Sequence, residues 1–195
     1  MRKLLYFFCL TLLLWACGSA DEPVLNDIQT KSADQAELMQ TYNKADSLYQ
    51  QGIISRELFD EFITQTIKFA DTYPENEITP DMLSKAGVAC MILAKNCSME
   101  QNPDQEAIEM YARKGLSIFE KIQATYPDYE GVRNCYLNRA FIYDDILHKY
   151  LDAEYEYREF LHKYPDDSTC ENIRAYLQVL GKSDEEIMAE IEKKN

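Results

Sequence analysis

Few residues in this chain combine the types and the spacing that catalysis requires. Asp144 precedes His148 by four residues, so on a helix the carboxylate would lie one turn from the imidazole and could tune a general base. Ordinary ion pairs on exposed helices have the same spacing, and we favour that interpretation. Asp104, Glu106 and the acidic run 184–186 lie at predicted helix starts, where negative charge complements the helix dipole. No motif for phosphate, dinucleotide or catalytic metal binding is present, so we predict a protein that is not an enzyme and uses no cofactor.

The cysteines do not have the spacing of a metal site. No Cys-x-x-Cys pair occurs, and the two histidines lack ligand spacing, so no metal site is predicted. Cys90 and Cys97 are seven residues apart, and on one helix they would be separated by about 10.5 Å, too far for a disulfide. Cys135 and Cys170 begin successive predicted helical units and could form a bridge in an exported compartment. Buried free thiols are the favoured state.

The N-terminal residues have the composition of an export signal. Arg2 and Lys3 precede an apolar stretch over residues 4–16, which small residues follow. A positive start, a short apolar segment and small residues at the cleavage site are the parts of a secretory signal. A membrane-spanning helix needs about 20 apolar residues, so this stretch is predicted to be a cleaved signal.

The end of the apolar stretch, Leu-Trp-Ala-Cys, resembles the lipobox of bacterial lipoprotein precursors. Trp15 is a departure, because the lipobox usually carries a small residue there. The resemblance implies that residues 1–16 are removed and that Cys17 receives lipid on its sulfur and becomes the new N-terminus. The alternative is an ordinary signal cleavage near Ala20, with Cys17 discarded.

A lipidated N-terminus would hold the protein on a membrane without a spanning helix. One acyl chain binds a bilayer only marginally, and the lipoprotein pathway is expected to supply two or three. Residues 17–32 are predicted to be the lipidated cysteine and a flexible polar tether, and a chain of this length extends about 20 Å. The expected location is the outer membrane, on its periplasmic or cell-surface face, and the acidic pair Asp21-Glu22 fits surface placement loosely.

Charge narrows the class of partner. The net charge is −14, and removal of the signal leaves 18 basic and 34 acidic side chains. A nucleic-acid-binding protein needs a basic surface, so that class is excluded, and anionic lipid headgroups should repel the body of the protein. The excess of acidic residues either keeps the protein soluble or complements a basic partner. The partner is expected to be a protein or peptide.

Residues 33–195 carry only helical periodicity, with apolar residues recurring at spacings of three and four, and no stretch alternates as a strand would. Eight helices are predicted, at roughly 33–51, 55–73, 80–97, 103–125, 130–148, 151–164, 168–180 and 183–194. The predicted caps are Ser55, Thr79 before Pro80, Asn102 before Pro103, the boxes Ser168/Glu171 and Ser183/Glu186, and the C-terminal Gly181.

An internal repeat organises these helices. The pair Tyr-Pro ends three of them, at Tyr73-Pro74, Tyr126-Pro127 and Tyr164-Pro165. Proline cannot continue a helix, and it disfavours helical geometry in the residue before it. Helical hairpins that end in the same way at a similar spacing indicate stacked repeats.

The hairpins resemble the tetratricopeptide repeat, which has small residues where its helices cross, an aromatic on the second helix and a closing proline. The matching positions are Gly87, Gly115, Phe119 and Pro127 in the second hairpin and Ala140, Ala153, Tyr157 and Pro165 in the third. Small residues are needed at the crossings because packed helix axes are about 8–10 Å apart. The resemblance implies an all-α fold of antiparallel hairpins stacked as a short solenoid, with the last two helices as a cap.

The function we expect is a scaffold for protein–protein interaction on the membrane. In the resembled family, the first helix of each hairpin lines a groove. Carried onto this chain, the groove positions are Asp81, Ser84, Val88, Met91, Asn134, Leu137, Phe141, Asp144 and Asp145. Asp144 and Asp145 would meet basic residues of the partner. Lipoproteins with such repeats also resemble an accessory subunit of the outer-membrane β-barrel assembly machinery, which implies a role in envelope assembly.

The alternative function is binding of a glycan or another small ligand at the cell surface. The chain has 14 tyrosines, some of which could line a groove with a polar tip exposed. Removal of the signal would also remove Trp15, the one tryptophan, which counts against sugar stacking.

Overall fold

The computed structural model describes residues 22–194, which form helices joined by turns and contain no strand. The helices are α1 (Glu22–Gln50), α2 (Arg56–Thr72), α3 (Thr79–Ser98), α4 (Gln105–Thr125), α5 (Val132–Phe141, continued by a π-helical turn at Ile142–Ile146), α6 (Tyr150–Lys163), α7 (Cys170–Tyr176) and α8 (Asp184–Lys194). The predicted all-α class with eight helices is confirmed. Within this range, no helix is long and apolar enough to cross a bilayer. The chain divides into two compact units, and the boundary between them lies between Glu37 and Leu38.

The first unit differs from the prediction. The sequence predicts an irregular tether up to residue 32, but the chain is helical from Glu22. Residues 27–33 are all exposed, which explains why no apolar stripe marks them as a helix. Adding polar residues to an existing helix costs far less than starting a new one, so periodicity does not show where α1 begins. Cys17 and the predicted signal peptide lie outside the described residues.

In the second unit, two predicted caps are confirmed. Ser55 Oγ accepts a hydrogen bond from the backbone N–H of Leu58 at 3.5 Å. At α8, the N–H of Ser183 donates to Glu186 Oε2 at 2.8 Å, and the N–H of Glu186 donates to Ser183 Oγ at 3.3 Å. Gly181 also has the predicted left-handed backbone, with φ of 74°.

Three other predicted caps are wrong by one or two residues. Ile78 precedes α3, so Thr79 is already helical. Asp104, and not Asn102, caps α4 by accepting from the N–H of Ala107 at 3.1 Å. Thr169 precedes α7 in place of Ser168. Of these three starts, only that of α4 has a side-chain cap, and the residues before α3 and α7 form no capping hydrogen bond.

The three tyrosine-proline corners have the same backbone geometry. Tyr73, Tyr126 and Tyr164 have φ between −127° and −129° and ψ between 58° and 60°. In each corner, the tyrosine carbonyl accepts a hydrogen bond of 3.0–3.1 Å from the N–H three residues later. The repeated sequence therefore forms a repeated structure that ends one hairpin and starts the next.

The corners also explain one buried cysteine. Thr79 Oγ1 donates to the carbonyl of Tyr73 at 2.8 Å, and Cys170 Sγ donates to the carbonyl of Tyr164 at 3.1 Å, in the equivalent position. Cys90, Cys97, Cys135 and Cys170 are all buried free thiols, as favoured from the sequence.

Close approach of α3 and α4 occurs at two glycines. A Cβ atom on Gly87 would lie 2.6 Å from the ring of Phe119, which is fully buried. A Cβ atom on Gly115 would lie 3.3 Å from Cys90 Cβ and 3.4 Å from the carbonyl oxygen of Gly87. The predicted crossing positions Ala140 on α5 and Ala153 on α6 are also fully buried. Small residues therefore stand at the helix contacts where the repeat pattern expects them.

An ion-pair network joins α4, α5 and α6. The Arg139 guanidinium lies 2.8 Å from Glu156, 3.1 Å from Glu120 and 2.7 Å from the side-chain oxygen of Gln123. The Glu156 side chain is only 3% exposed, and burial raises the pKa of its carboxyl, while Arg139 opposes that shift. The pair fixes which faces of the three helices meet.

The predicted cap covers the last hairpin in part. Ile173 on α7 is buried and packs with Leu177 against Phe160. Tyr176 is 40% exposed, and on α8 Glu185, Glu186 and Met188 are exposed. Helix α7 ends at Tyr176, four residues before the predicted end, and turns lead from there to Gly181.

We predict that Gly115→Leu destabilises the fold, because the new side chain would wedge α3 away from α4. The expected loss in the free energy of unfolding is about 2 kcal/mol or more. Urea denaturation followed by circular dichroism measures it. Ser117→Leu is the control, because Ser117 is exposed on the same helix. Equal stability of Gly115→Leu and wild type would mean that this crossing is not close-packed.

We also predict a pH dependence that Glu156 causes. Its pKa in the folded protein is above the ordinary 4.5, so the folded state holds this proton more tightly than the unfolded state does. The resulting stabilisation is complete below the unfolded-state pKa and is lost as pH rises through the folded-state pKa. The stability of wild type relative to Glu156→Gln should therefore fall as pH rises from the ordinary carboxyl pKa through the raised folded-state pKa. Denaturation of both proteins at each pH tests this, and a relative stability that rises with pH would contradict it.

Candidate functional site

Two grooves open between the helices of the second unit. The first groove has a volume of about 350 Å³ and lies between α1, α2 and α3, with Tyr129 and Asn134 at its far side. The second groove has a volume of about 870 Å³ and is lined by α5, the π-helical turn, α6 and α7, with Met91 of α3 and Ile187 of α8 at its margins. Both are large enough to take side chains of a partner or a small ligand.

All nine predicted partner-binding residues line these grooves, but they are divided between the two. The first groove contains Asp81, Ser84, Val88 and Asn134. The second groove contains Met91, Leu137, Phe141, Asp144 and Asp145. Successive turns of α3 and of α5 therefore contribute to different grooves, and the predicted single site is two neighbouring sites.

Polar contacts set the register of α3 against the segment containing α5. Tyr129, just before α5, donates to Asp81 Oδ1 at 3.3 Å near the start of α3. Lys95, near the end of α3, lies 2.6 Å from Asp145 in the π-helical turn. The start of α3 thus lies near the start of α5, and its end lies near the end, so the two helices run in the same direction.

The first groove contains its own cation. The ammonium of Lys85 lies 2.6 Å from Asp81 Oδ2 and 5.5 Å from the centroid of the Tyr42 ring. Burial raises the pKa of Tyr42 and of Tyr129. The apolar part of this groove includes Val88, which is 37% exposed. This surface can accept an apolar side chain, while Asp81 is already paired with Lys85 and Asp46 also lines the groove.

The second groove owes its carboxylates to the π-helical turn. The N–H of Leu147 bonds the carbonyl of Ile142, five residues back, at 2.9 Å. Within this turn Asp145 pairs with Lys95 on α3, whereas Asp144 accepts a hydrogen bond from the hydroxyl of Tyr176 on α7. The two adjacent aspartates therefore contact different helices, Asp145 contacting α3 and Asp144 contacting α7. Single π-helical turns within helices are frequent at functional sites.

Aromatic side chains form the other walls of the second groove. Phe141 and Tyr150 are about 40% exposed, at 38% and 43%. Tyr157 meets Tyr176 edge to face, with ring centroids 5.7 Å apart. Burial, followed by the charges of Asp144 and Asp145, raises the pKa of Tyr157 to about 12, and the pKa of Tyr176 is raised as well. The groove thus combines partly exposed rings with two carboxylates.

His148 lies at the edge of the second groove and does not form a catalytic pair. It has a positive φ of 53°, where the chain turns from the π-helical turn into α6. Its Nδ1 lies 3.2 Å from the backbone carbonyl oxygen of Asp144, so the contact does not involve the carboxylate. Among residues 22–194, no three His, Cys, Asp or Glu side chains are grouped as metal ligands.

Sequence reasoning missed several groove residues. Tyr157 matches the aromatic position of the repeat and Tyr176 lies in the predicted cap, and neither was among the predicted groove residues, yet both line the second groove. No sequence signal marks Lys85 and Tyr42 in the first groove or Lys95 beside the second. Tyr42 and Lys95 contact residues on other helices, and the spacing of Lys85 from Asp81 is common on exposed helices. An excess of tyrosines was the only available indication.

Comparison with known proteins adds no assignment. No protein-family model and no curated protein sequence matches this chain.

Proposed function

We propose that this protein is an exported, lipid-anchored scaffold that binds a segment of another protein in its two grooves. The observation that carries this proposal is the placement of all nine predicted partner-binding residues on groove walls. Partly exposed Phe141, Tyr150 and Tyr176 supply contact area of the kind that dominates protein interfaces. The grooves hold no arrangement that suggests catalysis.

The resemblance to tetratricopeptide repeats belongs to the same proposal. Three corners of equal geometry and small residues at the helix crossings support it. In that family the first helices of the hairpins line the binding surface, and here α3 and α5 are those helices. A peptide or helix of the partner would lie across them, and a role in envelope assembly would follow.

The lipid anchor rests on the sequence. The positively charged start, the apolar stretch over residues 4–16 and the cysteine at position 17 support processing as a lipoprotein. Acyl chains would then hold the grooves at the outer membrane, where the partner would be another envelope protein.

Binding of a glycan or small ligand is the second candidate function. It is favoured by three tyrosines, Tyr150, Tyr157 and Tyr176, on the walls of the second groove. Their rings and hydroxyls could contact a sugar from several sides.

We predict that Cys17→Ala abolishes incorporation of a radioactive fatty acid, because the acylated sulfur is lost. Labelled cells expressing each variant would be examined by gel electrophoresis and autoradiography. Cys135→Ala is the control and should remain labelled, since Cys135 is buried. Label that persists in Cys17→Ala would contradict the anchor.

We also predict that a photo-crosslinking amino acid at position 141 captures one specific polypeptide in intact membranes. The same amino acid at position 117, exposed on α4 and outside both grooves, should not capture it. Mass spectrometry of the adducts measures the difference. Equal capture at both positions would overturn groove docking. An increase in melting temperature with oligosaccharides, in the absence of any adduct, would favour the second candidate.

A further inference from the structure

The first groove shows how this protein holds a cation. Lys85 lies between the carboxylate of Asp81, at 2.6 Å, and the ring of Tyr42, whose centroid is 5.5 Å away. The carboxylate attracts the charge directly, and the face of an aromatic ring attracts it through the ring quadrupole. The chain itself supplies the cation there.

The second groove has the same two components without the cation. Asp144 lies on its wall together with the rings of Tyr157 and Tyr176. Within the described part of the chain, Asp144 forms no ion pair, and no lysine or arginine lies over either ring. The Tyr176 hydroxyl occupies one acceptor position of the carboxylate, which has about four.

The carboxylate of Asp144 is the local charge that would attract a cation. Burial, and after it the charges of Asp144 and Asp145, raises the pKa of Tyr157, because both carboxylates lie close enough to act on its hydroxyl. Lys95 offsets Asp145 by direct pairing but forms no ion pair with Asp144. Lys182 and His148 are the other basic side chains on the lining, and the imidazole of His148 contacts the carbonyl of Asp144.

Apolar surface adjoins the same position. Leu137, Phe141 and Ile173 line the second groove, and Phe141 is 38% exposed. An occupant that fits must therefore present a positive group next to an apolar one, as a segment with arginine or lysine beside leucine does.

We propose that the second groove binds a basic segment of the partner protein by holding an arginine or lysine side chain between Asp144 and the rings of Tyr157 and Tyr176. This inference rests on the proposed function and names the chemistry of the partner. In the first groove, Lys85 already fills the equivalent position between Asp81 and the Tyr42 ring.

Two short fluorescent peptides test the proposal on the detergent-solubilised full chain. One contains leucine, serine and arginine, and in the other each arginine is replaced by citrulline, its uncharged isostere. We expect the arginine peptide to bind about tenfold more tightly, as measured by fluorescence anisotropy. Asp144→Asn should remove most of this preference, because the amide keeps an acceptor for Tyr176 but loses the charge. The matched variant Asp166→Asn, at an exposed aspartate outside both grooves, should retain it.

Equal binding of the two peptides, or no binding of either, would overturn the proposal. So would a preference for arginine that survives in Asp144→Asn. These outcomes differ from failure of the proposed function. If crosslinking from position 141 still captures its polypeptide in the Asp144→Asn background, docking in the groove stands without selection for a cation. If the photo-crosslinking amino acid at position 141 captures no polypeptide in the otherwise wild-type chain, the proposed function is wrong.

Discussion

Close packing of paired helices is the constraint on which the rest of the structure depends. At Gly87 and Gly115 the crossing of α3 and α4 leaves no room for an unadjusted side chain, since an added Cβ would lie 2.6 Å from the ring of Phe119 in one case and 3.3 Å from Cys90 in the other. Because the residues at a crossing set how near two helices can come, these glycines bring their large neighbours into contact. The interior is then closed, and other helix faces remain open for grooves.

The corners between hairpins extend this packing along the chain. The same backbone torsions at Tyr73, Tyr126 and Tyr164 carry the chain from each hairpin to the next in the same way. The buried pair of Arg139 and Glu156 then selects which helix faces meet in the last hairpins. Removal of Arg139 would leave the buried carboxylate of Glu156 without an ion-pair partner, whereas removal of Glu156 would leave Arg139 paired with Glu120.

The grooves differ in chemistry because of one irregular turn. In the π-helical turn, Asp145 is paired with Lys95, but Asp144 stays without an ion pair among the described residues. In the first groove the nearest equivalent carboxylate, Asp81, is neutralised by Lys85 one helical turn away. The two grooves thus differ in that the aspartate beside the tyrosine ring is paired with a lysine in the first, whereas Asp144 has no such partner among the described residues of the second.

The sequence by itself determined the all-α class, the presence of eight helices and the three tyrosine-proline corners. These features depend on contacts within four residues and on apolar periodicity, both of which are local in the chain. The positions of small residues at the helix crossings followed from the resemblance to a repeat family. Only the tertiary structure decided the start of α1 at Glu22, the π-helical turn, the division of the nine residues between two grooves and the pairing of Lys95 with Asp145. Lys95 and Asp145 are 50 residues apart in sequence, and only the packing of whole helices brings such residues together.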